Sequence, residues 1–103
     1  MGNPRKIAEI LNELGIVYGK QGNHKQAMEV WQQALALNRE IDVKAGIADS
    51  LHNVGEGYRK AGNYKEAIRH LVEAVQLKEE LRQTAAGDVR RDYVASQIAS
   101  YQM

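Results

Sequence analysis

The sequence repeats itself with a period of 40 residues, and this feature restricts the chain to a fold built from two similar units. Shifting the chain by 40 positions places many identical residues on each other. The identical pairs include Ile7 and Ile47, Ala8 and Ala48, Leu11 and Leu51, Gly15 and Gly55, Tyr18 and Tyr58, Lys20 and Lys60, Ala27 and Ala67, and Ala34 and Ala74. The strings at residues 22–27 and 62–67 carry most of the similarity. Self-similarity at such a period is typical of proteins made of stacked repeats.

Apolar residues recur within each unit every three or four positions, the spacing of one face of an α-helix. Each unit is therefore predicted to be two amphipathic helices joined by a short turn. Gly22 and Gly62 can adopt the left-handed conformation that ends a helix. Asn23 and Asn63, which follow them, can cap the next helix by accepting hydrogen bonds from its free amides.

The sequence predicts an all-α fold in a single domain over residues 1–103. The predicted helices span about residues 4–20, 24–41, 44–60, 64–82 and 85–101. Asn3 as N-cap, with Pro4 in the first helical position, indicates the start of the first helix. The fifth helix is expected to cap the second hairpin. Its packing residues are predicted to be Val89, Tyr93, Val94 and Ile98.

Two glycines lie inside predicted helices, where each costs about 1 kcal/mol relative to alanine. Close approach of the partner helix would compensate for this cost at Gly15 and Gly55. Ala27 and Ala67 are expected to face these glycines as small residues. The bulky residues expected to interlock around them are Tyr18 with Trp31 and Tyr58 with Leu71.

Composition excludes several classes of protein. The chain has no cysteine, and therefore no disulfide framework, thiolate nucleophile or sulfur-ligated metal site. No apolar run approaches the length of about 18 residues that a membrane span requires. The formal net charge of +1 predicts no broad attraction to nucleic acid or acidic lipid. The N-terminal segment lacks the apolar stretch of a secretory signal, so a reducing, cytoplasmic setting is expected.

No arrangement of residues predicts catalysis, a cofactor or a metal site. His24, His52 and His70 include no pair four residues apart, the spacing that places two imidazoles on one helix face. Asp49, Ser50 and His52 have the residue types of a hydrolytic triad, but neighbours on one helical turn point in different directions. The chain is therefore predicted not to be an enzyme.

Each unit resembles the tetratricopeptide repeat, which is recognised by a large residue, Leu-Gly, Tyr, Ala, a bulky residue and Ala at fixed spacing. The first unit matches with Leu11, Leu14, Gly15, Tyr18, Ala27, Trp31 and Ala34. The second unit matches with Leu51, Val54, Gly55, Tyr58, Ala67, Leu71 and Ala74. The usual unit has about 34 residues. The longer period here resembles the variety found in kinesin light chain and in Pins-type polarity adaptors.

The resemblance implies two helix-turn-helix repeats plus the capping helix, stacked as a right-handed superhelix with a concave groove lined by the first helix of each repeat. It implies a non-enzymatic module that binds a partner protein or an extended peptide in this groove. The implied partner-binding residues are Glu9, Asn12, Glu13, Ile16, Lys20, Asp49, His52, Asn53, Glu56, Arg59 and Lys60. Asn53 corresponds to an asparagine that bonds the peptide backbone in many family members.

The side chains of the implied groove carry both signs of charge. A subset of the family grips a C-terminal carboxylate with lysine and asparagine, but Asn12 and Ile16 stand at two of those places here. Carboxylate clamping is therefore not expected. An extended segment that carries Arg or Lys to meet Glu13, Asp49 and Glu56 is the hypothesis for the ligand.

Two other functions remain open. Residues 88–96 resemble the segment that closes repeat arrays before CHAT-type caspase-like domains, so the chain could be a structural or oligomerising segment of a larger signalling protein. Solenoids usually need about three repeats to bury a continuous core, so self-association through the terminal helices, near Tyr93, Ile98 and Tyr101, is a hypothesis. A small helical enzyme or regulator is disfavoured because no acid, base or metal constellation is present.

Overall fold

The computed structural model describes the backbone of residues 2–101 and the side chains of residues 2–85. The described backbone forms four α-helices, α1 (Pro4–Lys20), α2 (His24–Glu40), α3 (Lys44–Lys60) and α4 (Tyr64–Tyr101). It contains no strand over these residues. The all-α class is therefore confirmed, and the predicted starts of the first four helices agree with the structure. The handedness of stacking and the single-domain assignment stay predictions.

Each of the three turns between the helices contains one residue in the left-handed backbone conformation. Gly22 and Gly62 both have a φ of 83°, as expected, because glycine has no Cβ to clash in this conformation. Asp42 closes the middle turn with a φ of 54°. Aspartate is one of the few residues other than glycine that tolerate a positive φ.

The break predicted between residues 82 and 85 is wrong, because α4 runs without interruption to Tyr101. The 40-residue shift places Arg82 where Asp42 ends the first repeat. Arginine rarely adopts the left-handed conformation, and residues 81–86 contain neither glycine nor proline, so nothing local stops the helix. The packing predicted for Val89, Tyr93, Val94 and Ile98 lies outside the side chains that are described.

The N-terminus of α1 is capped by a side chain. Asn3 Oδ1 accepts a hydrogen bond from the Arg5 amide at 3.0 Å, and Pro4 occupies the first helical position, both as predicted. Asn63 Oδ1 makes a longer cap bond to the Glu66 amide at 3.5 Å. Asn23 makes no cap bond, contrary to expectation. Its Nδ2 donates instead to Gln21 Oε1 at 3.4 Å.

Asn3→Ala is expected to lower the free energy of unfolding by about 1 kcal/mol, because the backbone amide of Arg5 at the start of α1 loses its hydrogen-bond acceptor. Chemical denaturation followed by circular dichroism measures the change. Asn23→Ala is the matched control, since this asparagine precedes a helix without capping it. Equal losses in the two variants would contradict the assignment of the cap to Asn3.

The helices pack in chain order, α1 on α2, α2 on α3 and α3 on α4, so that two antiparallel hairpins lie side by side. The central cluster of the buried core consists of Ala27, Trp31, Leu35, Leu51, Val54 and Ala74. Tyr18, Met28, Ile47 and Tyr58 pack around its edge. Residues of α1 also lie close to α3. None of the helices in the described part of the chain combines the length and apolar character that a membrane crossing requires.

The helix glycines make room for bulky residues of the partner helix, and that Ala27 and Ala67 face these glycines stays a prediction. A Cβ on Gly15 would overlap the indole of Trp31, whose ring atoms would be its nearest neighbours. A Cβ on Gly55 would lie 2.7 Å from Cγ of Leu71. Trp31 and Leu71 therefore occupy equivalent places in the two hairpins, and each needs a glycine opposite.

Candidate functional site

A cleft of about 330 Å³ lies between α1 and α3. The cleft is lined by Glu9, Asn12, Glu13, Ile16, Asp49, His52 and Asn53. All of these residues were predicted from the sequence to face a partner. They converge because α1 and α3 are the first helices of the two hairpins and lie close to each other. That they bind a partner stays a prediction.

The other predicted partner-binding residues lie on the same two helices but are not among the residues that line the cleft. Lys20 ends α1 and Lys60 ends α3. Arg59 donates to Glu56 Oε2 from Nε at 3.1 Å and from Nη2 at 2.8 Å. The hydrogen bond from Arg59 lowers the pKa of Glu56. A ligand cation would therefore have to compete with Arg59 for Glu56, which makes this carboxylate a weaker anchor than the sequence suggested.

Asn12 is the centre of a hydrogen-bond network at the base of the cleft. Its Oδ1 accepts hydrogen bonds from Ser50 Oγ at 3.1 Å and from Asn53 Nδ2 at 3.4 Å. Asn38 Nδ2 donates to Ser50 Oγ at 3.2 Å. Ser50 is 0% exposed and Asn38 is 2% exposed. The network joins α1, α2 and α3, and it sets the orientation of the Asn53 amide.

The pairing of Asn38 with Ser50 was not predicted, although the sequence contains a signal for it. Asn38 follows Trp31 and Leu35 at helical spacing on the buried face of α2, so it is a polar residue in an apolar series. A buried polar side chain needs a hydrogen-bonding partner. A search for a partner for Asn38 on the neighbouring helix would have led to Ser50.

The backbone of Asn12 is held as well as its side chain. Trp31 Nε1 donates to the carbonyl oxygen of Asn12 at 3.1 Å. Trp31 is 7% exposed and belongs to the core, as predicted. The indole thus links the packing of the first hairpin to the position of the cleft.

Carboxylates dominate the charge of the cleft. The carboxylate of Glu9 lies 3.9 Å from Lys6 Nζ. Among the described side chains, no ion-pair partner is found for Glu13 or Asp49. Ile16 adds an exposed apolar surface to the same wall. The cleft therefore presents negative charge beside an aliphatic patch.

The histidines do not assemble into a site. His24 begins α2, His52 lines the cleft on α3, and Nδ1 of His70 lies 2.8 Å from a backbone carbonyl of its own helix. Over the described residues, no group of three metal-ligating side chains comes together. Ser50 is buried and its Oγ donates to Asn12, whereas His52 is exposed.

Comparison with known proteins supports the repeat pattern. A family model described as tetratricopeptide repeat matches residues 6–80, which is most of the chain and includes all of α2 and α3. A comparison with curated proteins found no match. The narrower likeness to kinesin light chain, Pins-type adaptors and CHAT-associated segments stays a prediction. The chain therefore belongs to the tetratricopeptide repeat family, whose members generally mediate protein–protein interaction without catalysing a reaction.

Proposed function

We propose that this protein holds an extended segment of a partner protein in the cleft between α1 and α3. The observation that supports this function best is the hydrogen-bonded pair Asn12 and Asn53 at the base of an open cleft. An extended backbone offers both N–H donors and C=O acceptors, and an asparagine amide can satisfy both. The proposed role of the protein is therefore binding.

Asn53 is the residue proposed to contact the peptide backbone. Its Nδ2 donates one hydrogen to Asn12, which leaves the second hydrogen and the Oδ1 acceptor for a ligand. Because Asn12 holds the amide in place before binding, less side-chain entropy is lost when a peptide arrives. Asn12 thus acts as a positioning residue for Asn53.

The charge of the cleft favours a segment with a basic side chain. An arginine or lysine can place its cationic end near Glu13 and Asp49 and lay its aliphatic stem on Ile16. Glu56 contributes less, because Arg59 already engages it. Asn12 and Ile16 provide no positive charge for a terminal carboxylate, so the segment is proposed to bind through internal residues.

Asn53→Ala is expected to weaken binding of an arginine-containing extended peptide about tenfold, which corresponds to about 1.4 kcal/mol. The physical reason is the loss of hydrogen bonds to the peptide backbone. A peptide library first identifies the tightest such peptide, and isothermal titration calorimetry then compares the variants. Glu13→Gln is expected to weaken binding of the same peptide, and the difference in affinity from the unaltered protein is expected to shrink as the salt concentration is raised.

Gln33→Ala is the matched control, because Gln33 is exposed on α2 and does not line the cleft. It is expected to bind as tightly as the unaltered protein. The proposal is rejected if Asn53→Ala and Glu13→Gln bind every peptide with the affinity of this control.

A second candidate function is a structural or oligomerising segment of a larger signalling or caspase-like protein. Apolar residues that remain exposed on the outer helices α1 and α4 favour it. For either function we propose a cytoplasmic setting without nucleic-acid or membrane partners, because the chain lacks cysteine and has a formal net charge of +1.

A further inference from the structure

The two outer helices each expose an apolar face. On α1 the exposed residues are Ile7, Ile10, Leu14 and Val17, with exposures between 37% and 55%. On α4 they are Tyr64, Ile68, Val72 and Val75, with exposures between 48% and 65%. Each set recurs at helical spacing, so each forms one continuous stripe. Contiguous apolar surface of this kind marks sites of protein association.

Several residues of the exposed stripes are equivalent to residues that are buried inside the molecule. The 40-residue shift places Ile10 and Leu14 of α1 on Ser50 and Val54 of α3, which are fully buried. The same shift places Ile68 and Val75 of α4 on Met28 and Leu35 of α2, which pack in or around the core. In the molecule, α2 packs on α3. The outer face of α4 is therefore equivalent to the α2 side of this interface, and the outer face of α1 is equivalent to the α3 side.

We propose that copies of this chain associate head to tail, with the outer face of α4 in one copy packed on the outer face of α1 in the next. The contact repeats the interface between α2 and α3, which is the established way in which these hairpins stack. The inference rests on the second candidate function, oligomerisation, and is independent of peptide binding in the cleft.

The internal interface sets the register of this contact. Met28 packs against Gly57, because a Cβ on Gly57 would lie 2.6 Å from Met28 Cε. The equivalent pair between copies is Ile68 with Val17. Asn38 bonds Ser50, and its equivalent pair is Lys78 with Ile10, where the lysine stem can cover the apolar side chain.

Two differences from the internal interface make the association between copies weak. Val17 is bulkier than Gly57, so the helices cannot approach as closely as α2 and α3 do. Inside the molecule, the side chain of Asn38 lies against Gly46. At the equivalent contact between copies, Lys78 of one copy faces Lys6 of the next, and these like charges repel each other. Screening by salt reduces this repulsion. The association is therefore expected to be reversible and to strengthen as salt is raised.

Head-to-tail contacts do not close on themselves unless the rotation forms a ring. In analytical ultracentrifugation, the average mass of the unaltered protein is therefore expected to rise with concentration beyond that of a dimer. Stacking would also place α1 of one copy beside α3 of the other and lengthen the row of helices that line the cleft. A protein that stays monomeric at every concentration and salt level overturns the inference, while peptide binding in the cleft remains unaffected.

Two variants distinguish head-to-tail association from a symmetric dimer. Ile10→Lys blocks the α1 face and Val75→Lys blocks the α4 face, and both positions are exposed, so the fold should be kept. Each variant alone is expected to be monomeric, because every contact needs both faces. An equimolar mixture is expected to form a one-to-one complex from the two intact faces. A mixture that stays monomeric, or a single variant that still dimerises, overturns the proposal.

Gln33→Lys on α2 is the matched control, because it adds the same charge on a helix that belongs to neither outer face, and it should associate like the unaltered protein. Circular dichroism checks that each variant is folded. Lys78→Glu gives a second test without removing an apolar residue. It is expected to tighten association at low salt severalfold by placing a carboxylate near Lys6, and Lys6→Glu added to it should reverse the gain. No gain in Lys78→Glu contradicts the proposed register.

Discussion

Replacing Trp31 with alanine is expected to lower the free energy of unfolding by about 4 kcal/mol. The indole is buried in the core, fills the space left by Gly15 and donates to the Asn12 carbonyl, and removing such a ring from a core typically costs about 3 to 5 kcal/mol. This is a large part of the total stability of a domain of this size, about 5 to 15 kcal/mol. Urea denaturation measures the loss. It is followed by circular dichroism, because Trp31 is the only tryptophan and the variant has no tryptophan fluorescence to follow.

Two further substitutions separate the causes of this loss. Trp31→Leu copies Leu71, which holds the equivalent place in the second hairpin, and is expected to cost clearly less than alanine. Trp31→Phe keeps an aromatic ring but removes the donor, so that about 1 kcal/mol of its cost reflects the bond to Asn12. A loss below about 1 kcal/mol for Trp31→Ala would mean that the two hairpins do not depend on this side chain.

Gly15→Ala is expected to destabilise the protein by about 2 kcal/mol, although alanine is the better helix former. The added Cβ overlaps the buried Trp31 indole, which core packing prevents from moving freely. Overpacking of a core typically costs about 1 to 3 kcal/mol, and the deep overlap here is expected to bring the cost to the upper end of this range. The gain in helix propensity of about 1 kcal/mol offsets part of this cost and leaves a net loss of about 2 kcal/mol. Thermal and urea denaturation of the purified variant measure the difference.

Gly19→Ala is the matched control on the same helix. A Cβ at this position would lie 3.7 Å from Cη2 of Trp31, an ordinary van der Waals contact. The substitution is therefore expected to stabilise the protein by up to about 1 kcal/mol through helix propensity alone. Stabilisation by both substitutions would show that Gly15 is not needed for the close packing of α1 on α2.

Local sequence signals predicted the helices and most of the turns. Gly22 and Gly62 adopt the left-handed conformation because of their own covalent structure, and Asn3 with Pro4 starts α1 for reasons confined to one helical turn. The continuation of α4 past Arg82 was also determined locally. It was missed because repeat symmetry was extended to a position where an aspartate has been replaced by an arginine.

The residues that line the cleft could be predicted from the sequence, but the hydrogen bonds between them could not. Helical spacing determines which side chains share a face of α1 or α3, and the family resemblance indicated that those faces line a groove. Spacing carries no information on the distance between residues of different helices. The bond between Asn12 and Asn53 and the burial of Ser50 depend on how far α1 and α3 approach and rotate.

The secondary structure, the repeat and the candidate faces could therefore be inferred from the order of residues alone, because they depend on interactions within a few residues. Which residues meet across helices depends instead on how the helices pack. This packing places the Trp31 indole against Gly15, joins Asn12 to Ser50, and leaves apolar stripes exposed on α1 and α4. These outcomes follow from the packing of whole hairpins, in which each side chain must fit neighbours that are distant in the chain.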